Sequence, residues 1–156
     1  MNTKSEHAQI VLNPFLIYFL LALFAILLQR FLPLPAILIG TIPRTIVAAI
    51  MLINLAIGLT AARGMLTAKT SLNPHRPTTA LVLSGPFRFT RNPLYLGLTV
   101  FYTGLMLVFE LTWGLLFLPI IVWLITIWVI VPEEEYLEQK FGTDYLNYKS
   151  RVRRWI

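Results

Sequence analysis

The chain has 156 residues, 57% of them hydrophobic and 13% charged, with a formal net charge of +6. A soluble domain of this size could not hide so much apolar surface, so a bilayer is expected to form part of its solvent, and the basic charge points to membrane topology and anionic headgroups rather than nucleic acid. The absence of cysteine excludes disulfides, thiolate catalysis and Cys-based zinc sites, and the two histidines, His7 and His75, are too far apart to suggest a ligand pair, so no metal site is expected.

The first ten residues are polar, and the apolar run after them lacks a small-residue cleavage site; they are expected to persist as a short tail. Four apolar segments follow. The first runs from about Pro14 to Leu28 and extends toward Leu34, and the second from about Thr45 to Ala62. Between them Pro33, Pro35 and Pro43 disfavour a regular helix, so Phe31 to Pro43 reads as an interfacial connection. The third, Leu94 to Phe109, and the fourth, Leu111 to Val131, are separated only by the neighbourhood of Glu110 and must form a tight antiparallel hairpin. A span needs roughly 17–25 residues, so the short third segment borrows a turn from the residues before it or sits where the bilayer thins.

With four spans, eleven of the thirteen Lys and Arg residues fall on one side, and only Arg30 and Arg44 on the other. The richer side is therefore expected to be cytoplasmic, with both termini there, in a cell inner membrane or an endomembrane. After the fourth segment, Pro132 suits the first turn of a helix, and Glu133, Glu134 and Glu135 suit its positive end. Gly142 allows a break. Thr143 is placed to cap a second short helix carrying Tyr145, Tyr148 and Val152 on one side. The basic end RVRRWI suits an anionic interface, with Trp155 as anchor.

Within the spans, Gly58 and Ala62 form a small-xxx-small pair, and Gly97 and Gly104 lie near one face of the third; close helix packing is expected at both. Asn54, midway in the second span, is expected to bond across helices.

Two clusters could carry chemistry. In SGPFRFTRNPLYLG, from Ser84 to Gly97, Gly85-Pro86 marks a turn, and Asn92-Pro93 is a helix start with Asn as N-cap. The free amides of that start can meet an anion such as a carboxylate, with Arg88 and Arg91 adding charge. Glu133 to Glu135 stand at the edge of a span, where acidic groups need solvent or a partner, for instance an ammonium. Singly, each also reads as an ordinary cap or a solvated first turn. The hairpin returns both to one interface, where a zwitterion carrying a carboxylate and an ammonium would fit between them.

The pattern Gly85-Pro86-Phe87-Arg88, Arg91-Asn92-Pro93-Leu94-Tyr95-Leu96-Gly97, a hydrophobic hairpin, Glu133-Glu134, then Phe141-Gly142, Tyr145, Tyr148 and Val152 resembles the isoprenylcysteine carboxyl methyltransferases and the related phospholipid methyltransferases. The family signature is Arg-His-Pro-x-Tyr, a hydrophobic stretch and Glu-Glu, and the likeness covers roughly residues 73–155. Asn92 stands in place of the family's histidine, and no arginine precedes the Glu pair in Trp128-Val129-Ile130-Val131.

The resemblance implies S-adenosylmethionine as cofactor and a lipid-like or prenylated acceptor taken from the membrane. Carried over residue by residue, it implies cofactor contacts at Thr79, Ala80, Leu81, Val82, Phe87, Asn92, Pro93, Leu94, Tyr95 and Glu133. Asn92, Arg91 and Glu134 are the expected catalytic residues, Glu134 as the nearest candidate base and Arg91 also as a partner for either glutamate. The whole is expected to be a single all-α, polytopic domain with about four transmembrane helices and a cytoplasmic C-terminal helical segment. Residues 1–72 would supply the N-terminal spans and 73–156 the cofactor-binding half. The rival readings are a membrane reductase using NADPH and a non-enzymatic lipid-binding four-helix protein; oligomeric state and the acceptor's identity stay open.

Overall fold

A computed structural model describes residues 12–36, 43–73 and 76–156, so Lys4, His7 and His75 lie outside the described residues. Most of these residues are helical, with no strand among them. Helix α1 spans Pro14–Phe31 and α2 Arg44–Thr67. Helix α3 spans Pro93–Val108, followed by α4 (Thr112–Leu116), α5 (Leu118–Ile125), a π-helical turn (Thr126–Ile130), α6 (Val131–Phe141) and α7 (Thr143–Arg151). Helices α1 and α2 are long and apolar enough to cross a membrane, with mean hydropathies of 2.0 and 2.2, and most of each is unburied in the chain itself.

The chain makes four antiparallel passes between two ends. At one end Arg44 pairs with Glu110 at 3.0 Å, tying the start of α2 to the hairpin after α3. Glu110 holds a φ of 57° there, and the Leu111 amide closes the turn on the Met106 carbonyl at 2.9 Å. The other end gathers the start of α1, the end of α2, the 68–92 segment and everything after residue 130. Ten of the twelve described Lys and Arg residues lie in those segments, against Arg30 and Arg44 at the far end.

Close packing of α2 on α3 is set by small residues. A side chain at Gly104 would meet Met51 Sδ at 2.6 Å, and one at Gly97 would meet Asn54 Oδ1 at 3.6 Å. Asn54 donates to the Gly97 carbonyl at 2.9 Å, the expected bond between helices; such bonds contribute about 0.6 kcal/mol on average. Gly58 departs from the expected packing role: nothing lies within 4 Å of where its Cβ would be. It borders an open groove instead. Helix α1 packs on the last pass, with Phe24 stacked on Phe117 (5.6 Å between centroids) and Ala25 fully buried.

The last pass is not the single helix that Leu111 to Val131 suggests. It is interrupted at Phe117, just before Pro119, and again at the π turn, just before Pro132. A proline inside a helix lacks a donor and crowds the carbonyl four residues back, at a cost of about 3 kcal/mol or more. Here the Val131 amide reaches the Thr126 carbonyl, five residues back, and the widened turn admits Pro132. Glu133 and Glu134 therefore do not sit at a free helix N-terminus. The helix arrives from the π turn with its amides already engaged, so other groups must compensate the two carboxylates. Thr143 makes no capping hydrogen bond; Gly142, at φ 54°, forms the break and precedes the expected second helix, α7, in which Tyr145 and Tyr148 are buried.

Gly104→Leu is expected to overpack the α2–α3 contact and cost about 1–3 kcal/mol. Gly58→Ala, in open space, should be neutral or stabilising by up to about 1 kcal/mol through helix propensity. Thermal unfolding in detergent distinguishes the two positions.

Candidate active site

The site end is organised around two asparagine–proline pairs that behave differently. Asn13 caps α1, its side chain accepting from the Phe15 amide at 2.9 Å. Asn92 precedes α3 in the same way but makes no side-chain cap, contrary to the sequence expectation. Its Nδ2 donates to the Arg154 carbonyl at 3.0 Å, because the C-terminal segment lies against it. The α3 start still has its first-turn amides at Leu94 and Tyr95, ahead of the first bond from the Leu96 amide to the Asn92 carbonyl (3.0 Å).

The two adjacent glutamates have different surroundings. Glu134 is 4% exposed and bridged by two guanidinium groups: Arg91 Nη2 reaches Oε1 at 2.7 Å, and Arg154 Nη2 reaches Oε2 at 2.7 Å. Burial alone would raise its pKa, but the hydrogen bonds and charges of Arg154 and Arg91 outweigh that and hold it below the usual carboxylate value. Arg91 is used up as well, with Nη1 donating to the Lys149 and Val152 carbonyls at 3.0 and 2.9 Å.

Glu133 accepts from one donor, the Tyr95 hydroxyl, at 2.8 Å. Burial pushes its carboxyl up to about 7; the Tyr95 bond opposes that and the Glu134 charge adds to it. Among the described residues no Lys or Arg pairs with it as two do with its neighbour, which fits a site for a ligand ammonium.

Glu133 stands between two small cavities. One, of about 60 Å³, is walled by Ala80, Leu81, Val82, Phe87 and the Arg91–Asn92 turn, with Glu134 behind. The other, of about 100 Å³, is walled by Phe87, Pro93, Leu94 and Tyr95. Of the twelve residues that the resemblance assigned to cofactor contact or catalysis, only Thr79 lines neither: its hydroxyl donates to the Lys69 carbonyl at 2.6 Å. Thr78 takes its place, its amide donating to the Tyr136 hydroxyl at 3.2 Å. Met65, near the end of α2, and Thr70, in the segment after it, also line the first cavity, as do Tyr145 and Tyr148. The tyrosine face of α7 is legible in the sequence; the contribution of α2 carries no local signal.

Larger hollows adjoin on either side. An outer one of about 750 Å³ carries Arg88, Asp144, Asn147 and Arg151 and shares Leu81 and Tyr148 with the first cavity. An apolar groove of about 670 Å³ between α1, α2 and α3 is lined by Leu55, Leu59, Leu98 and Phe101, and shares Phe15, Leu94 and Leu98 with the second. The glutamate thus lies between a polar approach and an apolar one.

Opposite pH dependences are expected of the neighbouring carboxylates. The raised pKa of Glu133 favours folding below the usual carboxylate value, a contribution lost as pH rises through about 7. Glu133→Gln should therefore raise the unfolding midpoint above pH 7 and change it little below pH 4.5. The depressed pKa of Glu134 contributes stability above its unfolded value, lost as pH falls through the folded one. Glu134→Gln should cost about 3–5 kcal/mol at neutral pH, because buried Arg91 loses its counter-charge. Unfolding curves of both variants across pH check the pair.

No solved structure matches the chain. An uncharacterised protein of Haemophilus influenzae is 44% identical over 45 residues, which are 28% of this chain and 71% of that protein. The family model described as phospholipid methyltransferase matches residues 43–144, from the start of α2 to the start of α7 and including both glutamates and the Arg91-Asn92-Pro93 turn. With most of its length matched in this way, the chain belongs to the phospholipid methyltransferase family.

Proposed function

We propose that this protein transfers a methyl group from S-adenosylmethionine to a lipid-like acceptor at the membrane interface. The observation that carries the reading is the place of Glu133: among the described residues no Lys or Arg pairs with its carboxylate, and it lines two inner cavities, one adjoining a hollow with charged side chains and the other an apolar groove. The donor set fits the polar part of that cofactor. Glu133 would hold the ammonium, with the Tyr95 hydroxyl fixing its carboxylate. The first-turn amides of α3 would face the carboxylate. Phe87 offers an aromatic face to a cationic centre. The two inner cavities are smaller than the roughly 300 Å³ expected of a small-molecule site. Displacing Leu81 and Tyr148 would join the first to the outer hollow, so binding is expected to move the 78–83 segment.

S-adenosylmethionine, when bound, supplies a methyl group already activated on a sulfonium. The protein's task is then alignment and exclusion of water rather than nucleophilic attack of its own. Arg91 and Glu134, expected from the sequence to be catalytic, are engaged with each other and with the C-terminal segment, and serve here to build the site. Among the described residues lining either inner cavity Arg91 is the one cation, and it is engaged with Glu134 and two backbone carbonyls. That favours an amine acceptor over a carboxylate, since an apolar space favours the neutral, nucleophilic amine. The acceptor's hydrocarbon would lie in the groove between α1, α2 and α3. In this reading four passes cross the membrane, and the site end, rich in Lys and Arg, is cytoplasmic.

Calorimetric titration should show binding of S-adenosylhomocysteine and none of NADPH. Glu133→Gln, although stable above pH 7, should weaken that binding about 10–100-fold, the worth of a charge-assisted hydrogen bond. Binding of NADPH alone would indicate a reductase; binding of neither would leave a lipid-binding scaffold.

A further inference from the structure

The basic C-terminus suggests a tail spread on lipid headgroups. Arg151 and Arg153 are indeed exposed, but the backbone between them and the residues that follow are built into the site. The Arg91 amide donates to the Arg153 carbonyl at 2.9 Å. The Thr90 hydroxyl and Asn92 Nδ2 both donate to the Arg154 carbonyl, at 3.1 and 3.0 Å. Trp155 Nε1 donates to the Thr126 hydroxyl, at the start of the π turn, at 3.2 Å. The last residues therefore form a strap that joins the turn opening α3 to the turn entering α6.

Arg154 is the side chain that closes this strap on the glutamate pair. Its Nε and Nη2 reach the two oxygens of Glu134 at 3.1 and 2.7 Å, while Arg91 takes Oε1 from the other side. With four donor contacts and almost no exposure, the Glu134 carboxylate has little capacity left for a ligand. Its effect on the site passes through geometry: it is the residue after Glu133, so anchoring it fixes how Glu133 faces the cavities. Arg154 is the more accessible of the two clamps, with its side chain 35% exposed against 8% for Arg91.

We propose that Arg154 is a positioning residue for the cofactor site: by bridging Glu134 and presenting its carbonyl to Asn92, it fixes Glu133 and the α3 start relative to one another. The proposal rests on the methyltransferase reading above, and its test separates the two. Full-length wild type, Arg154→Gln and Arg154→Lys are compared for S-adenosylhomocysteine affinity, for KM and kcat with S-adenosylmethionine, and for hydrogen exchange at the Arg91 amide, which the strap protects. Arg154→Gln should raise KM and weaken binding about tenfold or more, leave kcat at saturation within about threefold, and speed exchange at Arg91. Arg154→Lys should recover part of the affinity, since an ammonium restores the charge but not the two-point bridge. A loss of kcat at unchanged KM, in proportion to a smaller folded fraction, would show a purely structural residue and overturn the proposal. Unchanged binding and exchange in Arg154→Gln would overturn it too. Wild type that binds no S-adenosylhomocysteine would instead refute the cofactor reading, and with it the role given to Arg154; exchange at Arg91 would then report only whether the strap is held.

Discussion

The buried carboxylate of Glu134 is the constraint on which the site end depends. A carboxylate at 4% exposure must be compensated, and both compensating guanidiniums come from distant parts of the chain. Arg91 comes from the turn before α3 and Arg154 from the terminal strap. Meeting this one electrostatic demand brings together three segments that hydropathy alone would leave as separate ends. Glu134 is thereby engaged by four donor contacts, while among the described residues its neighbour pairs with no cation. The contrast between the two glutamates follows from one turn of helix: one is saturated with donors, while the other has a single phenol.

How α6 comes to present these residues depends on Pro132. A regular helix through residues 126–132 would set the proline ring against a carbonyl, and the π turn relieves that by one extra residue of spacing. An inserted residue also rotates everything after it by about a quarter turn relative to an unbroken helix. Trp155 fastens the strap to Thr126 at the start of that same turn, so the irregularity and the clamp reinforce each other. On the other side Tyr18 of α1 shares a hydrogen bond with Thr99 at 2.7 Å, packing the first helix against the base of Tyr95. The apolar groove thus ends close to the residue that holds Glu133.

Much of this was legible in the sequence where the signal is local. Hydropathy found α1, α2 and α3 within a few residues, although α2 continues to Thr67, a turn beyond Ala62. Gly97 and Gly104 marked the α2–α3 contact, and the Arg-Asn-Pro turn and the Glu pair lie together at one end of the molecule. What was missed depends on contacts between residues far apart in the chain. Nothing near Asn92 says that its side chain will serve Arg154 rather than its own helix. Nothing in RVRRWI separates Arg154, which pairs inward, from Arg153, which faces solvent. Gly58 has the spacing of a packing motif, yet among the described residues nothing lies within 4 Å of where its Cβ would be. The interruption of the last pass could have been anticipated from Pro119 and Pro132, which an apolar average overlooks.

The proposed methyl transfer to a membrane lipid depends on Glu133. Incubating purified protein with methyl-labelled S-adenosylmethionine and a total lipid extract tests it most directly. Label is expected in an amine-containing lipid with wild type and little with Glu133→Gln. Label that never enters the lipid fraction, or that enters equally with both proteins, would contradict it.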